Sequence, residues 1–240
     1  MTIVDHNINH PGTASLSPSC SVPVAAQPGD IAWIVTQWNS TTNALTPANA
    51  TVLDTKGPLS GNNCLTVLSK RVLTSGDISG GITGSFSGGT SPRWASGLFV
   101  TRGVDVDGTP AQFSDDDATT TAMSFGSYTP TVDSEDVLLL MGITTTSGQG
   151  SYTVTPPTGW TVDQAADDAF GTNSNVGIAL AHHTTGGGTA GVAQSIANFT
   201  ASKLLRHNSW AIPLKVNAPA SIGWLITASG PVPLGMKIVA

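Results

Sequence analysis

The sequence predicts an all-β fold, a two-sheet, jelly-roll-like sandwich built from two similar halves with N- and C-terminal extensions. Three observations carry this. Apolar segments are short, rich in Val, Ile, Thr and Leu, and bounded by Gly, Pro, Asn or Ser clusters. Helical spacing of apolar residues is almost absent. Charged residues make up 10% of the 240, against roughly 25% in an ordinary soluble domain. Such a chain presents a neutral, Thr- and Ser-rich surface.

Residues 1–19 carry Pro11 and Pro18 and few apolar anchors, and read as an arm or an edge strand. Strands follow over 30–38, 63–73, 94–101, 136–144, 176–183, 196–201 and 208–216. In the first of them Ile31, Trp33 and Val35 alternate with Ala32, Ile34 and Thr36. Both faces are apolar, which marks a central strand. Pro28-Gly29, Gly80-Gly81, Gly88-Gly89 and Gly186-Gly187-Gly188 supply the bends between strands.

The halves, about 20–105 and 126–216, echo each other. Gly29-Asp30-Ile31-Ala32-Trp33 matches Glu135-Asp136-Val137-Leu138-Leu139, each followed by a Thr-Pro element and a strand. A Trp-bearing strand closes each half, at Trp94 and Trp210. Two copies of one β pattern sharing a core is the expected organisation of 20–217, with 106–125 as a crossover loop. Residues 218–240 form an apolar extension containing Trp224, Leu225, Ile226, Val232, Leu234, Met236 and Ile238. Pro219, Pro231 and Pro233 oppose a helix there. This extension either folds back on the sandwich or docks on a neighbouring subunit.

Composition excludes several function classes. The net charge is -6 and no Lys or Arg occurs between Gly103 and Ser202, so a phosphate-neutralising nucleic-acid surface is not expected. No apolar run is long enough to span a membrane. The first residues lack the basic start and apolar stretch of a secretory signal, so folding in a cytoplasm is expected, with Cys20 and Cys64 as free buried thiols.

Catalytic constellations are missing. His182-His183 lies on a strand, so the two rings point to opposite faces and cannot chelate one metal together. Asp105, Asp107, Asp115, Asp116 and Asp117 lie in or beside the crossover loop and are candidates for a structural calcium, although no EF-hand pattern fits. No cofactor and no enzymatic activity are expected. Trp33, Trp94, Trp160 and Trp210 read as core, whereas Trp38, beside Asn39-Ser40, is the candidate for stacking on a sugar.

Pro28-Gly29-Asp30, Thr155-Pro156-Pro157-Thr158-Gly159-Trp160-Thr161 and Arg102-Gly103-Val104-Asp105 with Thr109-Pro110 resemble a β-sandwich module of tailed-phage virion proteins. That module is common among minor tail proteins of phages infecting actinobacteria. The first-half counterpart of the Pro-Pro-Thr-Gly-Trp motif departs from it, as Pro47-Ala48-Asn49-Ala50-Thr51. The resemblance implies a virion structural protein, a minor tail or tail-tip component that assembles with other virion subunits, including copies of itself. A capsid decoration protein and a module binding host-surface glycans are the alternative expectations.

Overall fold

The computed structural model describes residues 3–11, 13–47, 49–59, 63–88, 90–106, 109–115, 120–132, 136–145, 152–167, 176–184 and 188–216. The first half contributes β1 (Ile3–Asn9), β2 (Ser19–Cys20), β3 (Ile31–Trp38), β4 (Ala44–Pro47), β5 (Thr51–Leu59), β6 (Cys64–Val72), helix α1 (Ser75–Gly80), β7 (Ile82–Ser87) and β8 (Trp94–Thr101). After the linking β9 (Val104–Val106), the second half contributes β10 (Ala111–Asp115), β11 (Ala122–Met123), β12 (Ser127–Tyr128), β13 (Val137–Thr145) and β14 (Val154–Thr155). It is completed by β15 (Trp160–Asp167), β16 (Val176–His183), β17 (Gln194–Ser195), β18 (Phe199–Ala201) and β19 (Leu205–Val216).

The fold is an all-β sandwich made of two similar halves. The first half forms an antiparallel five-stranded sheet in the order β1-β8-β3-β6-β5, and the second a six-stranded one in the order β10-β19-β13-β16-β15, with β9 also paired to β19. Position by position these orders are the same. Each half also adds a small sheet, β2-β7-β4 and β11-β18-β14, again in matching order. Pairs β1:β8, β2:β7 and β3:β6, with β10:β19, β11:β18 and β13:β16, are those made when one long antiparallel hairpin rolls up. Each half is therefore a jelly roll in its own right. The β12:β17 ladder is a further pair in the second half.

The two large sheets pack face to face, which makes four layers. Alternation assigns the faces. Ile31, Trp33 and Val35 point to the seam between the halves and meet Leu138, Leu140, Ile178, Trp210 and Ile212. Ala32 and Ile34 point into the first roll, toward Cys20 and Ile82. Leu139, Met141 and Ile143 point into the second roll, toward Phe199 and Tyr152. All eight residues of β3 and all nine of β13 are buried, and each fully buried aliphatic or Phe side chain contributes about 1.5–3 kcal/mol. Across the seam β1 packs on β15, β8 on β16, β3 on β13 and β5 on β19. Across the seam the two strand orders therefore run oppositely.

Two boundaries read from the sequence are corrected. Of the two readings of residues 1–19, arm or edge strand, the structure shows the edge strand, since β1 lies at the edge of the first large sheet; the cut at 20, however, divides β2. Residues 106–125 are not only a crossover loop, because β10 and β11 lie there as counterparts of β1 and β2. Both edge strands bury little, Ile8 being the one buried residue of β1, so neither shows the apolar run of a central strand. Helix α1 was also not expected; it is short, and the Asp77 carboxylate caps it by accepting from the Thr74 N–H and hydroxyl at 2.8 Å each.

Candidate functional site

The turn motifs hold the strand ends. Gln27-Pro28-Gly29-Asp30 is a β-turn closed by Asp30 N–H donating to Gln27 O at 3.1 Å, with Gly29 at φ 94. It delivers Asp30, only 4% exposed, to the start of β3. Its carboxylate accepts from the Gln27 N–H at 2.8 Å and from Arg102 Nε and Nη2 at 2.8 Å each. The Arg102 guanidinium is the main cause holding the Asp30 pKa below its ordinary value. In the second half Trp160 N–H donates to Pro157 O at 3.1 Å, with Gly159 at φ 89. A Cβ there would lie 2.4 Å from His183 Nε2. Asn49, at φ 50, keeps the left-handed residue of the first-half turn.

Polar groups cross the seam at defined places. His182 Nδ1 hydrogen-bonds Asp163 at 2.5 Å, and His6 Nδ1 lies 4.0 Å from the other carboxylate oxygen. Phe99 packs edge-on against both imidazoles. Trp210 Nε1 donates to Asp54 Oδ2 at 2.9 Å. Ser114 Oγ donates to Asn208 Oδ1 at 2.7 Å, and Asn208 Nδ2 lies 3.4 Å from Thr66 Oγ1. His207 points into the second roll, where Ser209 Oγ lies 3.1 Å from Nδ1 and Phe125 stacks at 4.8 Å. Burial pushes its pKa down to about 4, against the opposing field of Asp115.

At the Asn49 end of β5 and β6 the surface is concave. A groove of about 480 Å³ is lined by Asn49, Thr51, Leu53, Lys70, Arg71 and Val72. Lys70 Nζ donates to Asp105 Oδ1 at 2.5 Å and sits 5.3 Å above the Trp33 ring. Arg71 is held by the Asp77 carboxylate, with Nε 2.9 Å from Oδ2. A second space, about 20 Å³ inside the first roll beside Cys20, Thr36 and Ser96, has room for one water.

The candidates from the sequence fall as follows. Trp38 is corrected: it is 2% exposed, its ring packs 5.3 Å from Phe86, and Nε1 donates to Asn43 O. No face is left for a sugar. Even-numbered residues of β3 point into the first roll, and Trp38 is the last of them. Trp33, Trp94 and Trp210 are buried, and Trp160 packs between His183 and Phe199. Of the calcium candidates, the two described ones, Asp105 and Asp115, are not brought together. Asp105 is opposite Lys215 and Asp115 opposite His207 on β19, eight residues apart, or about 26 Å. Asp107, Asp116 and Asp117 lie outside the described residues, as do Trp224, Leu225, Ile226, Val232, Leu234, Met236 and Ile238. Among the described residues no group of three or more His, Cys, Asp or Glu side chains is placed to hold a metal. Cys20 and Cys64 are buried, unbridged thiols, their pKa values raised by burial to about 12 and about 11.

The groove and the His6–Asp163–His182 contact were invisible to sequence reasoning, since their members come from separate strands. Asp30 and Arg102 did stand out, but as two motifs and not as partners. Compared with known protein families, with curated proteins and with solved structures, the chain matches none.

Proposed function

We propose that the chain is a non-enzymatic structural subunit of a tailed-phage virion, a minor tail or tail-tip component that assembles with copies of itself and with other virion subunits. The observation that carries this reading is the duplicated jelly roll joined across one continuous apolar seam. Jelly rolls recur in viral shells and in lectins. A roll pair joined in one chain is a rigid block suited to repetition.

Charge supports the same reading. With 10% charged residues, broad contacts between subunits carry little desolvation penalty. Several of the charges are already paired within the fold, as Asp30–Arg102, Arg71–Asp77 and Lys70–Asp105. Residues 218–240 are the segment assigned to the grip on neighbours. Deleting them is expected to abolish incorporation into particles while leaving the rolls folded; a truncated chain incorporated at the normal level contradicts the assignment. Gold-labelled antibody on whole particles distinguishes a tail position from a decoration protein on the head.

A further inference from the structure

At the Asn49 end of the first large sheet, β5 stops before β6 does. It reaches only to Thr51, opposite Lys70, so Val72 has no β5 partner and is 58% exposed. Alternation along β6 puts Lys70 and Val72 on the seam face, where Thr51 stands opposite Lys70 and Leu53 packs against the seam core. Arg71 turns the other way, to Asp77. Thr51, Leu53, Lys70 and Val72 therefore make the seam-side lining of the groove of about 480 Å³. The Lys70 ammonium is tied to Asp105, which leaves its methylene stem beside Leu53 and Val72 as further apolar surface. We infer that this groove is the seat of the chain's own residues 218–240 in the free subunit, which hold it until assembly.

The root, length and charge of that segment select it as the occupant. Strand β19 ends at Val216, next to Lys215, which is opposite Asp105 on β9; Asp105 in turn holds Lys70 in the lining. A tethered segment rooted beside its seat meets it at a high effective concentration, which a separate molecule in dilute solution does not match. Twenty-four residues follow Val216, ample length at about 3.3 Å each to turn back across the groove. Lys237 is the one charged residue among them, and the one cation of the lining is already matched by Asp105, so contact strips water from few charges. Left in water, Trp224, Leu225 and Ile226 would make an apolar patch of the kind that drives indiscriminate association. A seat on the same molecule covers them.

The inference rests on the virion reading only for the later hand-over to a neighbour; the contact itself is tested on the purified full chain. Chymotrypsin cuts after Trp224 and Leu225, and its rate there reports how often the segment leaves its seat. Val72→Arg and Thr51→Arg each fill the groove from an exposed position, so both are expected to fold with Tm unchanged. Val192→Arg, at an exposed position of the second half, is the control. Cleavage about tenfold faster in both groove variants than in wild type and control, at a rate independent of protein concentration, supports the seat. Equal cleavage in wild type and groove variants, whether fast or slow, overturns it, as does faster cleavage in the control. Protection that grows with protein concentration also overturns it, because the occupant is then a neighbour's segment. Each of these negative results leaves the virion assignment to be decided by particle composition.

Discussion

Asp30 and Arg102 form a two-pronged ion pair, with Nε and Nη2 each 2.8 Å from a carboxylate oxygen. The pair ties the start of β3 to the end of β8, so two turn motifs far apart in the chain fasten neighbouring strands of one sheet. Asp30 is buried while Arg102 reaches solvent. Asp30→Ala removes the acceptor for the guanidinium and for the Gln27 N–H, and is expected to cost about 1–3 kcal/mol. The folded carboxylate has a lowered pKa, so its contribution is complete above about 3.9, the unfolded value. It disappears as pH falls through the folded value. Denaturant titrations of wild type and Asp30→Ala should therefore converge in strong acid; a constant gap down to the lowest pH would contradict the ion pair's role.

His207 gives a second acid response in a different window. Its pKa is pushed from 6.5 down to about 4, so the unfolded chain takes up a proton more readily than the folded one. Stability from this group is full above about 6.5 and declines as pH falls toward about 4, by roughly 3 kcal/mol. His207→Asn should flatten the Tm profile between those limits. Parallel profiles for the two proteins would show that the ring is not the titrating group.

Gly142 lies at a close approach of the two large sheets. A Cβ there would stand 2.5 Å from Thr66 Cγ2 and 3.0 Å from Gln37 Oε1 across the seam. Gly142→Ala is expected to destabilise by about 1–3 kcal/mol. Thr66→Ala removes the clashing atoms, so the double variant should recover part of the loss. Strict additivity in chemical unfolding would mean that these positions do not meet.

The halves also share a seam that neither covers alone. Cutting the chain after Pro110 uncovers Trp33, Leu68 and Phe99, all fully buried in the whole protein. Sedimentation should find this fragment as dimers or larger species. A stable monomer would contradict the shared core.

Legibility in the sequence followed burial. The central strands β3 and β13 are buried on both faces, so each opens on an apolar run, Ile31 to Val35 and Val137 to Met141, with no polar face. The duplication was legible for the same reason, through those runs and the closing Trp strands. Edge strands β1 and β10 need only one covered face and carry polar residues on the other, so the sequence leaves β1 open between an arm and an edge strand and reads β10 as part of a loop. Trp38 was misplaced because a strand apolar on both faces gives no polar side from which to count outward. Contacts such as His182 with Asp163 depend on the β15:β16 register, which turn lengths and bulges set and which local sequence does not display.

The central claim, a subunit built to be repeated in a particle, is tested most directly by a side-chain-resolution map of purified virions from the phage encoding this chain. The paired rolls should appear as a repeated density in the tail, with residues 218–240 lying against a neighbouring subunit. Purified particles that lack this chain altogether, while infected cells accumulate it as a free protein, would contradict the account.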